Sequence, residues 1–68
     1  MKGIEVNGTI IAAHADYKFT VRCDGGHEAQ VYLSGKLVKH RIIVVCGDVV
    51  RCELSPYDPK MGRITFRL

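Results

Sequence analysis

The feature that most narrows the folding options of this chain is a pair of short alternating runs joined by a turn signal. Tyr17, Phe19, Val21 and Cys23 alternate with Lys18, Thr20 and Arg22, and after Asp24-Gly25-Gly26 the pattern resumes with Ala29, Val31 and Leu33 on one parity. A period of two sends successive side chains to opposite faces, so each run reads as a half-buried strand. Adjacent glycines adopt positive φ without a Cβ clash, which suits a tight β-hairpin. The same period recurs upstream, where Ile4, Val6, Gly8, Ile10 and Ala12 share a mostly apolar face. Downstream, Gly47-Asp48 introduces a strand with Val50, Cys52 and Leu54 inward and Arg51 and Glu53 outward. The last strand, Arg63 to Leu68, is expected to bury Ile64, Phe66 and Leu68 and to display Arg63, Thr65 and Arg67. Val21, Val31, Val50, Ile64 and Phe66 should therefore meet in one core.

Two segments interrupt the alternation. Ser34-Gly35-Lys36-Leu37-Val38-Lys39-His40 opens on an N-cap residue and has room for about one helical turn. Ile42 to Val45 is β-branched and reads as extended, and Pro56 to Gly62 is a loop because two prolines and a glycine oppose helix and ladder alike. The order is three strands, a short helical connection and two strands. This predicts an all-β fold, a five-stranded Greek-key OB-fold barrel with a helical turn between strands 3 and 4. Closure removes the exposed edges that a small open meander would carry. Residues 1–68 are read as one domain. A chain of this size buries only about 60% of its unfolded surface, which leaves little room for a deep catalytic pocket.

The residues also exclude several kinds of function. The longest apolar run, Ile42 to Cys46, is far short of the ~18 residues that cross a bilayer. Met1-Lys2-Gly3 is followed at once by Glu5 and Asn7, unlike a signal peptide, so a cytoplasmic location is expected. Cys23, Cys46 and Cys52 match no zinc or redox spacing and read as small apolar space-fillers. His14, His27 and His40 stand at no ligand spacing, and no nucleophile has a recognisable base nearby. The reading is a non-enzymatic domain with no metal and no cofactor.

Charge points toward a polyanion. Residues 34–68 hold seven of the ten lysines and arginines but only three of the seven acidic residues. On the expected strand parities Lys18, Arg22, Arg51, Arg63 and Arg67 project outward, with Lys36, Lys39 and Arg41 in the connection. The planar guanidinium fork donates two parallel hydrogen bonds, which suits phosphate. Aromatic residues are fewer: Phe19 and Phe66 have core parity, Tyr32 has outward parity and Tyr57 lies in a loop. Contacts to RNA phosphate and shape, with little stacking, fit this inventory better than an aromatic stacking track. Solvated outer faces would look similar. The residue pattern therefore leaves open a general single-stranded-RNA-binding OB or S1-like module, and also a protein-binding β-barrel whose charge is incidental.

Five blocks in one order narrow these readings: Ile4-Glu5-Val6-Asn7-Gly8-Thr9-Ile10, Ser34-Gly35-Lys36-Leu37, Gly47-Asp48-Val49-Val50, Leu54-Ser55-Pro56-Tyr57-Asp58 and Lys60-Met61-Gly62-Arg63-Ile64-Thr65-Phe66-Arg67. Over nearly the whole chain the sequence closely resembles the bacterial translation initiation factor 1 family. The resemblance implies an OB-fold monomer that binds the small ribosomal subunit at its decoding A site. There it would contact 16S ribosomal RNA and a neighbouring ribosomal protein, block premature tRNA entry and support initiation factors 2 and 3. Residues that the family uses on RNA match Lys36, Lys39, Arg63 and Arg67, and Arg41 is expected to join them. Lys18, Arg22, Arg51, Tyr57 and Lys60 are further candidate contacts. The chain departs from the family at Val38, where a basic residue is frequent, and at Ile43, where arginine is common.

Overall fold

The computed structural model describes residues 3–68; Met1 and Lys2, which entered the reading of the N-terminus, lie outside the described residues. Five strands and one helix follow in the order β1 (Ile4–Ala13), β2 (Lys18–Cys23), β3 (Glu28–Leu33), α1 (Gly35–Lys39), β4 (Val49–Leu54) and β5 (Met61–Arg67). The strands close into a barrel in the order β1-β2-β3-β5-β4, with β4 returning to β1. All pairs are antiparallel except β3 with β5. This is the five-stranded OB barrel that the sequence predicts, with the helix in its expected place.

Alternation drives closure. Phe19, Val21 and Cys23 of β2 and Ala29, Val31 and Leu33 of β3 are buried, with polar residues between them. Val50, Cys52 and Leu54 of β4, Ile10 of β1 and Ile64 of β5 complete the interior. The β2–β3 reversal occurs at Gly25 and Gly26, whose φ values of 101° and 99° explain the paired glycines. The approach of β5 to β4 is equally demanding. A Cβ on Gly62 would lie 2.5 Å from the Glu53 carbonyl oxygen and 2.9 Å from the Leu54 Cα.

Helix α1 closes one end of the barrel. Ser34 Oγ accepts from the Leu37 N–H at 3.4 Å, capping the start as its residue type suggests. Leu37 is buried, and Val44 joins it in the core from the connection that follows. At the other terminus of α1 the Arg41 N–H donates to the Val38 carbonyl and the Ile42 N–H to the Leu37 carbonyl, both at 3.0 Å. That pair of bonds is a Schellman cap, and Arg41 occupies its left-handed position with φ 56°.

Several expectations are corrected. Phe66 is 56% exposed instead of buried, and Leu68 is exposed as well. The cause is a bulge in β5. Cys52 faces Ile64 but Arg51 faces Phe66, so Thr65 has no opposite residue and the alternation reverses beyond it. The Thr65 hydroxyl donates to the Arg51 carbonyl at 3.3 Å and closes the bulge. Val21, Val31, Val50 and Ile64 form the core without Phe66. Strand β5 also begins at Met61, earlier than the glycine suggested, because Gly62 is what lets the strands close. Tyr17 shares the apolar parity of β2 yet is exposed, since β2 starts one residue later. Cys46 is exposed in the loop before β4, whereas Cys23 and Cys52 fill the apolar positions expected of them. Ile42 to Val45 joins no strand. At the start of β1, Ile4 is exposed.

Candidate nucleic-acid interface

Cross-strand register sets the site's first row. Lys18 of β2 lies opposite Tyr32 of β3, Tyr32 opposite Arg63 of β5, and Arg63 opposite Glu53 of β4. All four have outward parity, and Lys18, Tyr32 and Arg63 are exposed. Beside this row a groove of about 270 Å³ is lined by Tyr32, Glu53, Pro56, Tyr57, Gly62 and Arg63, among others. Its wall is the β4–β5 loop. Ser55 Oγ accepts from the N–H groups of Tyr57 and Asp58, and Asp58 Oδ1 accepts from the Lys60 N–H. These side-chain-to-backbone bonds shape the loop around Pro56 and Pro59 and hold Tyr57 and Lys60 outward.

The second group of cations lies at the α1 end. Pairing of β3 with β5 stops at Leu33–Ile64, where the chain turns into α1 and β5 runs on to Arg67. Lys36 and Lys39 on α1 and Arg41 at its cap are exposed. Among the described residues none of these three forms an ion pair.

The arginines are differently placed. Arg63 Nη2 donates to Glu53 Oε1 at 3.2 Å, and Arg67 Nε lies 3.7 Å from Asp48 Oδ2. Asp48 is itself fixed, because its Oδ2 accepts from the Val45 N–H at 3.0 Å. Each guanidinium is thereby held in a defined direction by a half-buried carboxylate. An incoming phosphate must share or displace that carboxylate.

The remaining candidates divide. Lys18, Tyr57 and Lys60 belong to the β2–β3–β5 side or to the loop beside it. Arg22 shares β2 and its outward parity with Lys18, opposite Glu28 of β3 and Thr9 of β1, and Arg51 of β4 lies opposite Phe66 of β5 and Asn7 of β1. Arg22 pairs with Glu28 at 3.2 Å, and Arg51 Nε donates to Asn7 Oδ1 at 3.4 Å. Sequence parity could place all of them outside but could not say on which side of a closed barrel.

The interior carries no polar chemistry. Among the described residues no charged or polar side chain is buried, and no group of three or more His, Cys, Asp or Glu residues could hold a metal. Burial pushes the Cys52 thiol from 9.0 up to about 12, with the neighbouring Cys23 adding to the effect. Cys23 is raised in the same direction by burial and by Asp24. Both shifts favour the protonated thiol. No helix among the described residues is long and apolar enough to cross a membrane.

A closed OB barrel with exposed cations along one face and a tyrosine-lined groove is a nucleic-acid-binding module in architecture. The model of the translation initiation factor 1A / IF-1 family matches residues 1–68, and the chain belongs to that family. It is 44% identical over 64 residues to the translation initiation factor IF-1 of Rhodospirillum rubrum, covering 94% of this chain and 67% of that protein. Its fold matches the solution structure of the same initiation factor from the Wolbachia endosymbiont of Brugia malayi with a TM-score of 0.78 at 39% identity, over 96% of this chain and 77% of the other. The crystal structure of YjeQ from Thermotoga maritima has a TM-score of 0.77 at 23% identity, over 96% of this chain but 23% of that one. That second structural likeness concerns the barrel alone.

Proposed function

We propose that this initiation factor, acting as a non-enzymatic monomer over its whole length, binds the decoding A site of the small ribosomal subunit through phosphate contacts to 16S ribosomal RNA. Lys36, Lys39 and Arg41 form one contact group at the α1 end, and Arg63 and Arg67 supply the directed guanidinium groups of β5. Lys18, Tyr57 and Lys60 extend the contact across the β2–β3–β5 side, whereas Arg22 is engaged by Glu28 and Arg51 by Asn7. Occupying the A site keeps tRNA from entering early and supports initiation factors 2 and 3. A cytoplasmic location follows from this role.

One observation carries the reading. In a chain of the initiation factor family, three cations without an acidic partner among the described residues gather on α1 and its cap, at the end of the barrel reached by Arg67. The test is co-sedimentation with isolated small ribosomal subunits, with and without competing A-site ligands. Stoichiometric binding that the competitors abolish is expected. Binding that competitors leave untouched would place the factor elsewhere, and absence of binding would remove the assignment.

A further inference from the structure

Among the described residues, three other than glycine adopt positive φ: Asp16 at 62°, Tyr17 at 60° and Arg41 at 56°. Left-handed backbone is costly for a residue with a Cβ, and least so for Asn and Asp. Asp16 and Tyr17 are the two central residues of the β1–β2 hairpin. The Lys18 N–H bonds the Ala15 carbonyl across them at 3.4 Å, and the His14 N–H bonds the Lys18 carbonyl at 2.8 Å. Two successive positive φ values mark the primed turn that fits strand twist, and such turns favour Asn-Gly or Asp-Gly. Asp16 satisfies the first preference. At the second position this chain carries a tyrosine where glycine costs least.

Nothing in the core compensates for that choice. Tyr17 is 60% exposed and is absent from the hydrophobic cluster. Its backbone, by contrast, is anchored, because the Tyr17 carbonyl accepts from the Leu33 N–H at 3.0 Å. His14 and Thr20 brace the hairpin through a 2.9 Å side-chain bond. The result is a rigid turn that presents an aromatic ring at its tip, next to Lys18 and the row running to Arg63. Arg41, the third such residue, is likewise an exposed side chain on a left-handed cap, at the α1 group of cations. Local strain retained beneath exposed side chains points to a use outside the fold.

We propose that Tyr17 is an RNA-contact residue whose ring stacks on an unpaired nucleobase. This inference rests on the RNA-binding reading above and adds a base contact to its phosphate contacts. An exposed tyrosine offers a π-face to any base, and its loss costs affinity without releasing counterions.

The experiment compares wild type with Tyr17→Gly, Tyr17→Asn and Tyr17→Phe, measuring thermal melting and titration onto isolated small ribosomal subunits at several salt concentrations. Gly and Asn both accept the left-handed backbone, so each should raise the melting temperature, by about 2–5 °C for Gly. Both should weaken binding, by about 5- to 150-fold, with the salt slope unchanged. Tyr17→Phe, which keeps the ring, should recover most of the lost affinity. Wild-type affinity in the Gly and Asn variants would overturn the proposal. So would lower melting temperatures in both, which would show that the ring serves the fold. If wild type itself fails to bind the subunit, the RNA-binding reading falls and this inference falls with it.

Discussion

Glu53→Gln should make this protein bind RNA more tightly. Arg63 is the outward cation in the centre of the barrel face, and in the free protein its guanidinium donates to Glu53 at 3.2 Å. The pair is partly solvated, with Arg63 49% and Glu53 23% exposed, so its strength is about 0.2–1 kcal/mol. Glutamine keeps the shape and removes the charge, which frees Arg63 from that competition. It also removes a negative charge from beside the phosphate path. Two unit charges ~6 Å apart in water repel by ~0.7 kcal/mol before salt screening. Together these effects approach about 1 kcal/mol, or about fivefold in affinity. Glu53 forms no part of the core, so stability should fall by no more than the pair's own strength, about 1 kcal/mol at most. Titration onto small ribosomal subunits at low and moderate salt measures the gain, which should shrink as salt rises. Unchanged or weaker binding by Glu53→Gln in a normally folded protein would refute Arg63 as a phosphate contact.

Other consequences of the fold can be checked by substitution and pH. Ile64→Ala should cost about 2–5 kcal/mol and Phe66→Ala less than about 1 kcal/mol in urea melts, because the bulge at Thr65 buries one and exposes the other; equal losses would contradict the bulge. Gly62→Ala should cost about 3 kcal/mol, at the upper end for overpacking, because the atoms its Cβ would meet include rigid backbone of β4; a melting temperature within a few degrees of wild type would contradict the close approach. Cys52 binds its proton more tightly folded than unfolded, so stability is full below pH 9.0 and falls as pH rises toward about 12. Urea melts of wild type and Cys52→Ala across that range should show a steeper alkaline loss for wild type, and parallel profiles would contradict it.

Much of this was legible in the sequence because alternation reports burial directly. Phe19 to Cys23 and Ala29 to Leu33 each obey one parity from end to end, and both β2 and β3 follow it. Beyond Ile64 the same logic failed. A bulge adds one residue to a ladder without altering composition, so Phe66 keeps the look of a core residue while its side chain crosses to the outer face. Tyr17 failed for a related reason: a turn residue next to a strand shares its parity but not its backbone. The cations of α1 were readable because Ser34 signals the helical turn that carries them. The acidic partners of Arg63 and Arg67 were not. Glu53 precedes Arg63 by ten residues and Asp48 lies still further from Arg67, so only barrel register brings them together.

On the proposed function, affinity for the small subunit is led by phosphate contacts of Lys36, Lys39, Arg41, Arg63 and Arg67. The most direct measurement is the slope of log affinity against log salt for wild type, Arg63→Ala, Arg67→Ala and Tyr57→Ala. These five phosphate contacts predict a wild-type slope of at least about −4 in magnitude, which contacts from Lys18 and Lys60 would steepen. Each arginine variant should bind more weakly and lose about one unit of slope. Wild-type binding that hardly responds to salt would contradict the account. So would loss of binding in Tyr57→Ala while both arginine variants bind normally.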